Sequence, residues 1–407
     1  MLVKVTLKQA LGGLLFAAGA LVGHSSQAQD AIKIGVIAPF NTPPGEGLLN
    51  SARMAAEDIN AAGGIGGKKV ELVIANDEYK SDVGANAYKR LVLSDKVAVV
   101  LGTASSGVSM AIVDQMVRYK VPMITTGGAT MQLSERVEKD YDKHKYWFRV
   151  MHTSDDIAMS ISDWVVNFLK AEKGWDKAAI LTEDALWTKG VLPIVKDRMA
   201  KANIQVVAEE KFDHDTKDFK PLLAKISSSN AQYILDLSSQ VDGAIYVKQW
   251  GELEGPPMMG LNASGTSSRF WKDTNGMAVS HADLIQGSYR AALTPNTIEW
   301  FDRYVKMWTV SPDYTSGYTY DAMYIIKNAI EKAGSTEPDK LVTALEATDH
   351  TGVAARWTFE KNHNSKFGPG YRVMGVTQWR ANGTRDVIWP ANIKTGDFAT
   401  PPWTKSK

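Results

Sequence analysis

The sequence predicts an α/β protein with two doubly wound lobes, each built on a parallel sheet. Strand-like segments alternate with amphipathic helical segments from residue 32 onward, and short connections join them. Such alternation is typical of parallel sheets that are covered by helices. It occurs in two similar series, at 32–126 and 155–253, and a third segment at 295–389 runs from helices into short aromatic strands. Two series of the same kind predict two lobes.

The first series follows from the spacing of its apolar residues. Strands are predicted at apolar runs bounded by turn residues, and helices where apolar residues recur every three or four positions, as at Leu48, Ala52, Ala55 and Ile59. The predicted elements are strands Ile32–Ala38, Lys69–Asn76, Val97–Leu101 and Val121–Thr126, and helices 47–61, 82–94 and 107–119.

A glycine-rich stretch, "INAAGGIGGKKV" at 59–70, resembles a phosphate-binding loop but lacks its spacing. A P-loop requires a glycine where Ala62 stands, and it follows a strand, whereas this stretch follows a helix. Glycine readily adopts the positive φ that ends a helix. Gly63–Gly64 is therefore interpreted as the end of the helix, and Gly66–Gly67 as the turn into the next strand.

The second series and the C-terminal segment are predicted by the same criteria. A hairpin turn is also predicted in "RANGTR", because Asn-Gly favours two-residue turns. The predicted helices are 155–171, 188–201, 217–228, 241–253, 295–309, 317–333 and 337–347, and the strands are 178–182, 204–212, 232–237, 356–359, 371–379 and 386–389.

The N-terminus has the pattern of a removable export signal, residues 1–28. Lys4 and Lys8 precede an apolar run, and Ser26-Gln27-Ala28 is a small-x-small cleavage site. The whole chain carries a formal net charge of +1, and removal of the two signal lysines leaves −1. This balance does not indicate a nucleic-acid partner. The chain has no cysteine, which excludes a lipid-modified N-terminal cysteine. The mature protein is therefore expected to be soluble and periplasmic.

A ligand site is predicted at the carboxyl ends of the parallel strands, where such sheets bind ligands. Ser105 and Ser106 follow one strand and begin a helix, whose free backbone N–H groups attract anions. The alternative is a serine that only caps the helix. The next strand ends in "TTGGAT", which adds backbone donors at Gly128 and Ala129 and the hydroxyl of Thr130. Two neighbouring sets of donors could hold one carboxylate.

Catalytic and metal sites lack support in the sequence. The seven histidines form no HExxH motif, and no GxSxG nucleophile elbow occurs. Asp213, His214, Asp215 and Asp218 are crowded ahead of a helix, where acidic residues are common without a metal. Glu183–Asp184 is an acidic pair without evident catalytic partners. The chain is predicted to be no enzyme and to carry no cofactor or metal.

An ordered set of segments resembles the type I periplasmic solute-binding proteins of ABC importers, specifically the leucine/isoleucine/valine-binding family. The resemblance covers nearly the whole mature chain. It is carried by "IKIGVIAPF", "AAEDINAAGGIGGKKVELV", "KRLVLSDKVAVVLGTASS", "VPMITTGGAT", "DFKPLLAKI", "MMGLN", "YTYDAMYIIKNAIEKAG" and "WTFEKN". It implies two lobes, 29–149 with 285–352 and 150–284 with 353–407, joined by three crossovers and closing on a ligand. It also implies a monomer that serves a membrane permease and its ATPase subunits.

The resemblance assigns roles to single residues. The family's carboxylate-binding serine falls at Ser106, supported by the backbone at Gly128 and by Thr130. Trp187 falls where the family has a cleft tyrosine, with core packing as the alternative. The family's second-lobe tyrosine aligns with Ser239, and its frequent disulfide positions align with Tyr79 and Ser105.

The family's glutamate for the ligand ammonium is replaced by neutral Asn262, and Asp236 is the candidate to supply the missing charge. A buried ammonium without a carboxylate partner is unfavourable. The expected ligand is therefore a carboxylate without an α-ammonium, such as an aromatic or keto acid, with an amino acid or amide next. Two rival functions are a sensing protein of the same fold that reports to a receptor, and a secreted α/β hydrolase.

Overall fold

The computed structural model describes residues 31–286 and 288–404, and the predicted export signal lies outside this range. Its strands are β1 (Ile32–Ala38), β2 (Val70–Asn76), β3 (Val99–Gly102), β4 (Met123–Thr125), β5 (Trp147–Arg149), β6 (Lys177–Glu183), β7 (Gln205–Phe212), β8 (Tyr233–Ser238), β9 (Met258–Asn262), β10 (Ala282–Gln286), β11 (His350–Thr351), β12 (Arg356–Trp357), β13 (Met374–Trp379) and β14 (Arg385–Trp389).

The helices fill the connections between these strands. They are α1 (Pro43–Ala61), α2 (Ser81–Leu93), α3 (Ser106–Tyr119), α4 (Gln132–Lys139), α5 (Tyr141–His144), α6 (Ser154–Trp164), α7 (Leu186–Lys201), α8 (Lys220–Ser227), α9 (Gly243–Glu252), α10 (Phe270–Asp273), α11 (Thr297–Trp308), α12 (Tyr314–Ala333) and α13 (Pro338–Glu346). None of those in the described part of the chain combines the length and apolar character that a membrane span requires.

Two separate main sheets confirm the predicted α/β class with two parallel-sheet lobes. The first sheet has the order β2-β1-β3-β4-β5, and all its pairs are parallel. The second has the order β14-β13-β10-β9-β8-β6-β7, in which β13 and β14 run antiparallel to their neighbours. After β10 the chain returns to pack α12 on α1, and it then adds β13 and β14 to the second sheet. The chain thus crosses between the two sheets three times.

The glycine stretch forms the predicted helix end and turn. Helix α1 ends at Ala61, and the backbone N–H of Gly64 donates to the carbonyl of Ile59 at 2.8 Å. Gly63 and Gly64 have φ of 101° and 79°, which a residue with a side chain rarely adopts. The predicted Asn-Gly hairpin also forms, with Gly383 at φ 79° between β13 and β14.

Several boundaries differ from the prediction. The helix predicted at 155–171 becomes α6 followed by a π-helical segment at Val165–Lys170, and the strand predicted at 356–359 has only two residues, Arg356–Trp357. The short strands β5 and β10 were not predicted. Neither has a clear periodicity of its own, because pairing with neighbouring strands defines such short elements.

Candidate functional site

A cavity of about 370 Å³, its mouth included, lies where the carboxyl ends of both sheets meet. Loops after β3 and β4 supply one wall, and elements of the second sheet supply the other. The lining residues are Ala104, Ser106, Gly127, Ala129, Met151, Ile157, Trp187, Ser239, Gln240, Leu261 and Tyr314.

The two neighbouring serines at the start of α3 have different roles. Ser105 is the N-cap, and its hydroxyl oxygen accepts from the N–H of Val108 at 3.5 Å. Ser106 lines the cavity, and its hydroxyl oxygen accepts from the N–H of Thr130 at 3.2 Å. The hydroxyl proton of Ser106 is therefore free to be donated to a ligand. The first N–H groups of a helix have no intrahelical partner, so α3 also directs partial positive charge at this position.

Arg149 orients the loop at 127–130. This fully buried side chain donates to the carbonyl oxygens of Ala129 and Thr130, and the N–H of Ser154 donates to Ala129 as well at 2.7 Å. Both carbonyl oxygens are thus already engaged by protein donors. Burial, reinforced by the nearby Arg372, lowers the pKa of Arg149 to about 9. Arg149 therefore remains a cation at neutral pH.

Trp187 supplies an indole to the opposite wall. It lies in the first turn of α7 and is 5% exposed. Trp187 lines the cavity, and its Nε1–H has no hydrogen-bond partner among the residues that the structure describes. A buried donor without a partner is costly, and a ligand oxygen would relieve that cost. Trp187 can thus contribute both an aromatic face and a directed hydrogen bond.

Glu183 fixes the loop that carries Ser239 and Gln240. Its carboxylate accepts from the backbone N–H of Ser239 at 2.7 Å and from that of Gln240 at 3.1 Å. Burial raises the pKa of Glu183, and these hydrogen bonds act in the opposite direction. The acidic pair noted in the sequence therefore includes a residue that supports the cavity wall.

Four predicted site residues line the cavity: Ser106, Ala129, Trp187 and Ser239. Ser105, Gly128 and Thr130 are buried immediately beside this wall without being part of the lining. The roles assigned to all these residues remain predictions.

Asn262 and Asp236 are also outside the cavity lining. The expectation of a ligand without an α-ammonium group depended on these two residues. Asn262 is 1% exposed, and its side-chain oxygen accepts from the N–H of Ser264 at 3.0 Å. Asp236 is fully buried and accepts from the hydroxyl of Tyr246 at 2.7 Å. Its carboxylate is directed into the core of the second lobe, where it also faces His281, rather than toward the cavity.

Two polar lining residues, Gln240 and Tyr314, were not predicted from the sequence. Gln240 lies in "LSSQVD", a segment at the end of β8 that already indicated a polar strand end. No local signal marks Tyr314, because it begins α12, and only the packing of α12 against α1 brings it to the cavity.

Asp236, His281 and Asp283 form a buried cluster in the second lobe with the residue types of a metal site. The two ring nitrogens of His281 each lie 3.1 Å from a carboxylate oxygen, one on Asp236 and one on Asp283. These are hydrogen-bond distances, and they fit a protonated imidazole that donates on both sides. Burial lowers the pKa of His281, but Asp283 and Asp236 outweigh that effect and raise it to about 10. The acidic stretch at 213–215 is exposed.

Comparison with known proteins identifies the family. Residues 31–384 match the family described as periplasmic binding protein. An amino acid binding protein of Pseudomonas aeruginosa is 26% identical over 405 residues, which cover 96% of this chain and 95% of that protein.

Solved structures share its fold. The branched-chain amino acid transporter substrate binding protein LivJ of Streptococcus pneumoniae, in complex with isoleucine, has a TM-score of 0.76 at 21% identity, covering 91% of this chain and all of that one. A solute binding protein of an ABC transporter from R. palustris, in complex with benzoate, has a TM-score of 0.77 at 17% identity, covering 90% and 98%. The chain belongs to the periplasmic binding protein family, and relatives named Leu/Ile/Val-binding protein homologues confirm the predicted resemblance; these are substrate-binding proteins and not enzymes.

Proposed function

We propose that this protein captures a small carboxylate without an α-ammonium group and delivers it to an ABC permease from the periplasm. An aromatic acid or a keto acid fits best. The carboxylate would accept from Ser106, from the start of α3 and from the N–H groups of the loop at 127–130. The body of the ligand would lie against Trp187, with closure of the two lobes excluding water. The protein would act as a monomer with the permease and ATPase subunits as partners.

The observation that carries this proposal is the charge of the cavity wall. Its eleven lining residues include no acidic side chain, and the nearby carboxylate of Glu183 already accepts two backbone hydrogen bonds. A ligand ammonium buried here would therefore lack a carboxylate partner, which is strongly unfavourable. A ligand carboxylate, in contrast, would meet several donors. The relatives in this fold include one with isoleucine bound and one with benzoate bound, so the fold accommodates both ligand classes.

Pairs of ligands that differ in one group test the proposal. We expect 4-methyl-2-oxopentanoate to raise the melting temperature of the ligand-free protein more than leucine, which carries an ammonium in place of the ketone. Benzoate should likewise exceed benzamide, which lacks the negative charge. A ligand at 100 times its Kd adds about 2.7 kcal/mol to the free energy of unfolding. A larger shift with leucine than with its keto acid would contradict the proposed ligand class.

The adjacent serines provide a matched pair of variants. Ser106→Ala should weaken ligand binding by about 1–3 kcal/mol, because a hydrogen bond to a charged group is lost. Ser105→Ala removes the helix cap instead, so it should lower the free energy of unfolding by about 1 kcal/mol while affinity changes little. Isothermal titration and urea denaturation measure the two quantities. Equal ligand affinity in the wild type and in Ser106→Ala would show that this serine does not bind the ligand.

A further inference from the structure

A second cavity, separate from the ligand cleft, lies between the β13–β14 hairpin, α11 and the segment that follows β10. It measures about 730 Å³ with its mouth included. Its residues belong to none of the strand ends that form the ligand cleft. Three polar side chains in its wall matter here: Tyr289, Thr377 and Arg385. None of them has a role in the function proposed above.

Two of these side chains present hydroxyl groups without partners. Tyr289 and Thr377 are each 3% exposed, and neither hydroxyl forms a hydrogen bond with any residue in the described ranges. They lie over the same face of β13. Gly375 and Thr377 are two residues apart and so share a face of the strand. A Cβ atom placed on Gly375 would be 2.9 Å from the Tyr289 hydroxyl, which puts that hydroxyl over the same face. Buried polar groups are normally satisfied, and such exceptions call for an explanation. Both hydroxyls can donate to an acceptor in the cavity.

Arg385 adds a cation that makes no direct contact with a carboxylate of the described residues. One guanidinium nitrogen donates to the carbonyl of Gly265 at 3.2 Å, and the group lies over the ring of Trp379, 5.2 Å from its centroid. It forms no ion pair within the part of the chain that the structure describes. Burial lowers the pKa of Arg385 to about 10, while Asp283 and Asp313 oppose this from a distance, so it stays charged at neutral pH.

The other arginine of the cavity is already neutralised. Arg290 donates two hydrogen bonds to Asp302, at 2.8 and 2.9 Å. Of the two arginines that line the cavity, Arg385 is therefore the one without a directly paired carboxylate among the described residues. Guanidinium donors that remain free favour planar or tetrahedral oxyanions, with which arginine forms paired hydrogen bonds.

We propose that this cavity is a second binding site for a small oxyanion, a carboxylate or phosphate group, held by Arg385 and by the hydroxyls of Tyr289 and Thr377. The anion would pair with the half-buried guanidinium and supply acceptors to both hydroxyls. Arg290 and Ser311, which lie before and after α11, also line this cavity. A bound anion would therefore contact a segment that connects the two sheets.

Inorganic phosphate and acetate, titrated calorimetrically into the mature protein at constant ionic strength, test this site. At least one of them is expected to bind. Arg385→Gln should weaken that binding about tenfold or more, because an ionic hydrogen-bond donor is lost. Tyr289→Phe and Thr377→Val should each weaken it about three- to tenfold. Arg356→Gln is the matched control, because it removes an arginine that pairs with Asp349 elsewhere, and it should change nothing.

Two further readouts keep the result unambiguous. In the absence of anions, Tyr289→Phe and Thr377→Val should be as stable as the wild type or more so, because each removes a buried hydroxyl that has no partner. Ser106→Ala should leave unchanged the phosphate or acetate binding that Arg385→Gln weakens, since it alters only the ligand cleft. The proposal is overturned if neither anion binds, if Arg385→Gln binds as the wild type does, or if Ser106→Ala alone abolishes binding.

Discussion

Replacing His281 by leucine is expected to destabilise the protein by about 3–5 kcal/mol. The imidazole lies between Asp236 and Asp283, and all three side chains are at most 1% exposed. Without it, two carboxylates would remain buried close together with no cation between them. Removing one partner of a buried ion pair has a cost of this size because the remaining charge is uncompensated. Urea denaturation at neutral pH measures the loss.

An exposed histidine supplies the control for this experiment. His214→Ala should change the free energy of unfolding by no more than about 0.5 kcal/mol, as is usual for surface substitutions. Adding Asp283→Asn to His281→Leu should recover part of the stability, because one uncompensated charge disappears. If His281→Leu and His214→Ala unfold at the same urea concentration, the buried network does not stabilise the fold.

The same network predicts a dependence on pH. The folded-state pKa of His281 is about 10, above the ordinary value of 6.5. Protonated His281 therefore stabilises the folded state fully below about pH 6.5, and this contribution is lost as the pH rises through about 10. The difference in stability between the wild type and His281→Leu should shrink between neutral pH and about pH 10. A difference that grows over this interval would contradict the assigned protonation.

Trp187→Ala is expected to weaken ligand binding by about 2–4 kcal/mol, a factor of roughly 30 to 1,000 in Kd. Trp187 lines the cavity and combines a large aromatic surface with an unpartnered indole N–H. Trp187→Phe retains a ring but lacks the donor, so it should lose less affinity than the alanine variant. Titration calorimetry with the ligand identified in the paired screen gives the values.

The alternative for Trp187 is a role in core packing alone. In that case Trp187→Ala would lower the free energy of unfolding and leave the Kd of the folded protein unchanged. Trp175→Phe is the control, because Trp175 stacks on Tyr233 and is not part of the cavity lining. It should alter stability without altering affinity. Equal affinity in the two Trp187 variants and the wild type would place the ligand elsewhere.

Local patterns in the sequence were sufficient to predict the fold class. Helical spacing and apolar runs are properties of neighbouring residues, so the alternating elements could be recognised without tertiary information. The helix end at Gly63–Gly64 and the hairpin turn at Asn382-Gly383 could also be predicted, because a positive φ is a local requirement. Short elements such as β5 and β10 could not be recognised, since pairing with distant strands defines them.

The ligand cleft was predictable only in part. Strand ends and a helix start located Ser106, and the family resemblance located Trp187; both line the cavity. Asp236 also sits near a strand end, but the direction of its side chain depends on His281, 45 residues away in sequence. Its proposed contact with a ligand ammonium therefore finds no support in its placement.

Neighbouring residues specify the order of most strands and helices, the turns that join them and the polar character of the strand ends. Tertiary packing sets which of those polar residues face the cavity and which face the core. It brought Tyr314 to the cleft through the packing of α12 on α1, and it joined His281 to two carboxylates in the interior. The physical reason is that backbone conformation follows from neighbouring residues, whereas the surroundings of a side chain are set by elements distant in the chain.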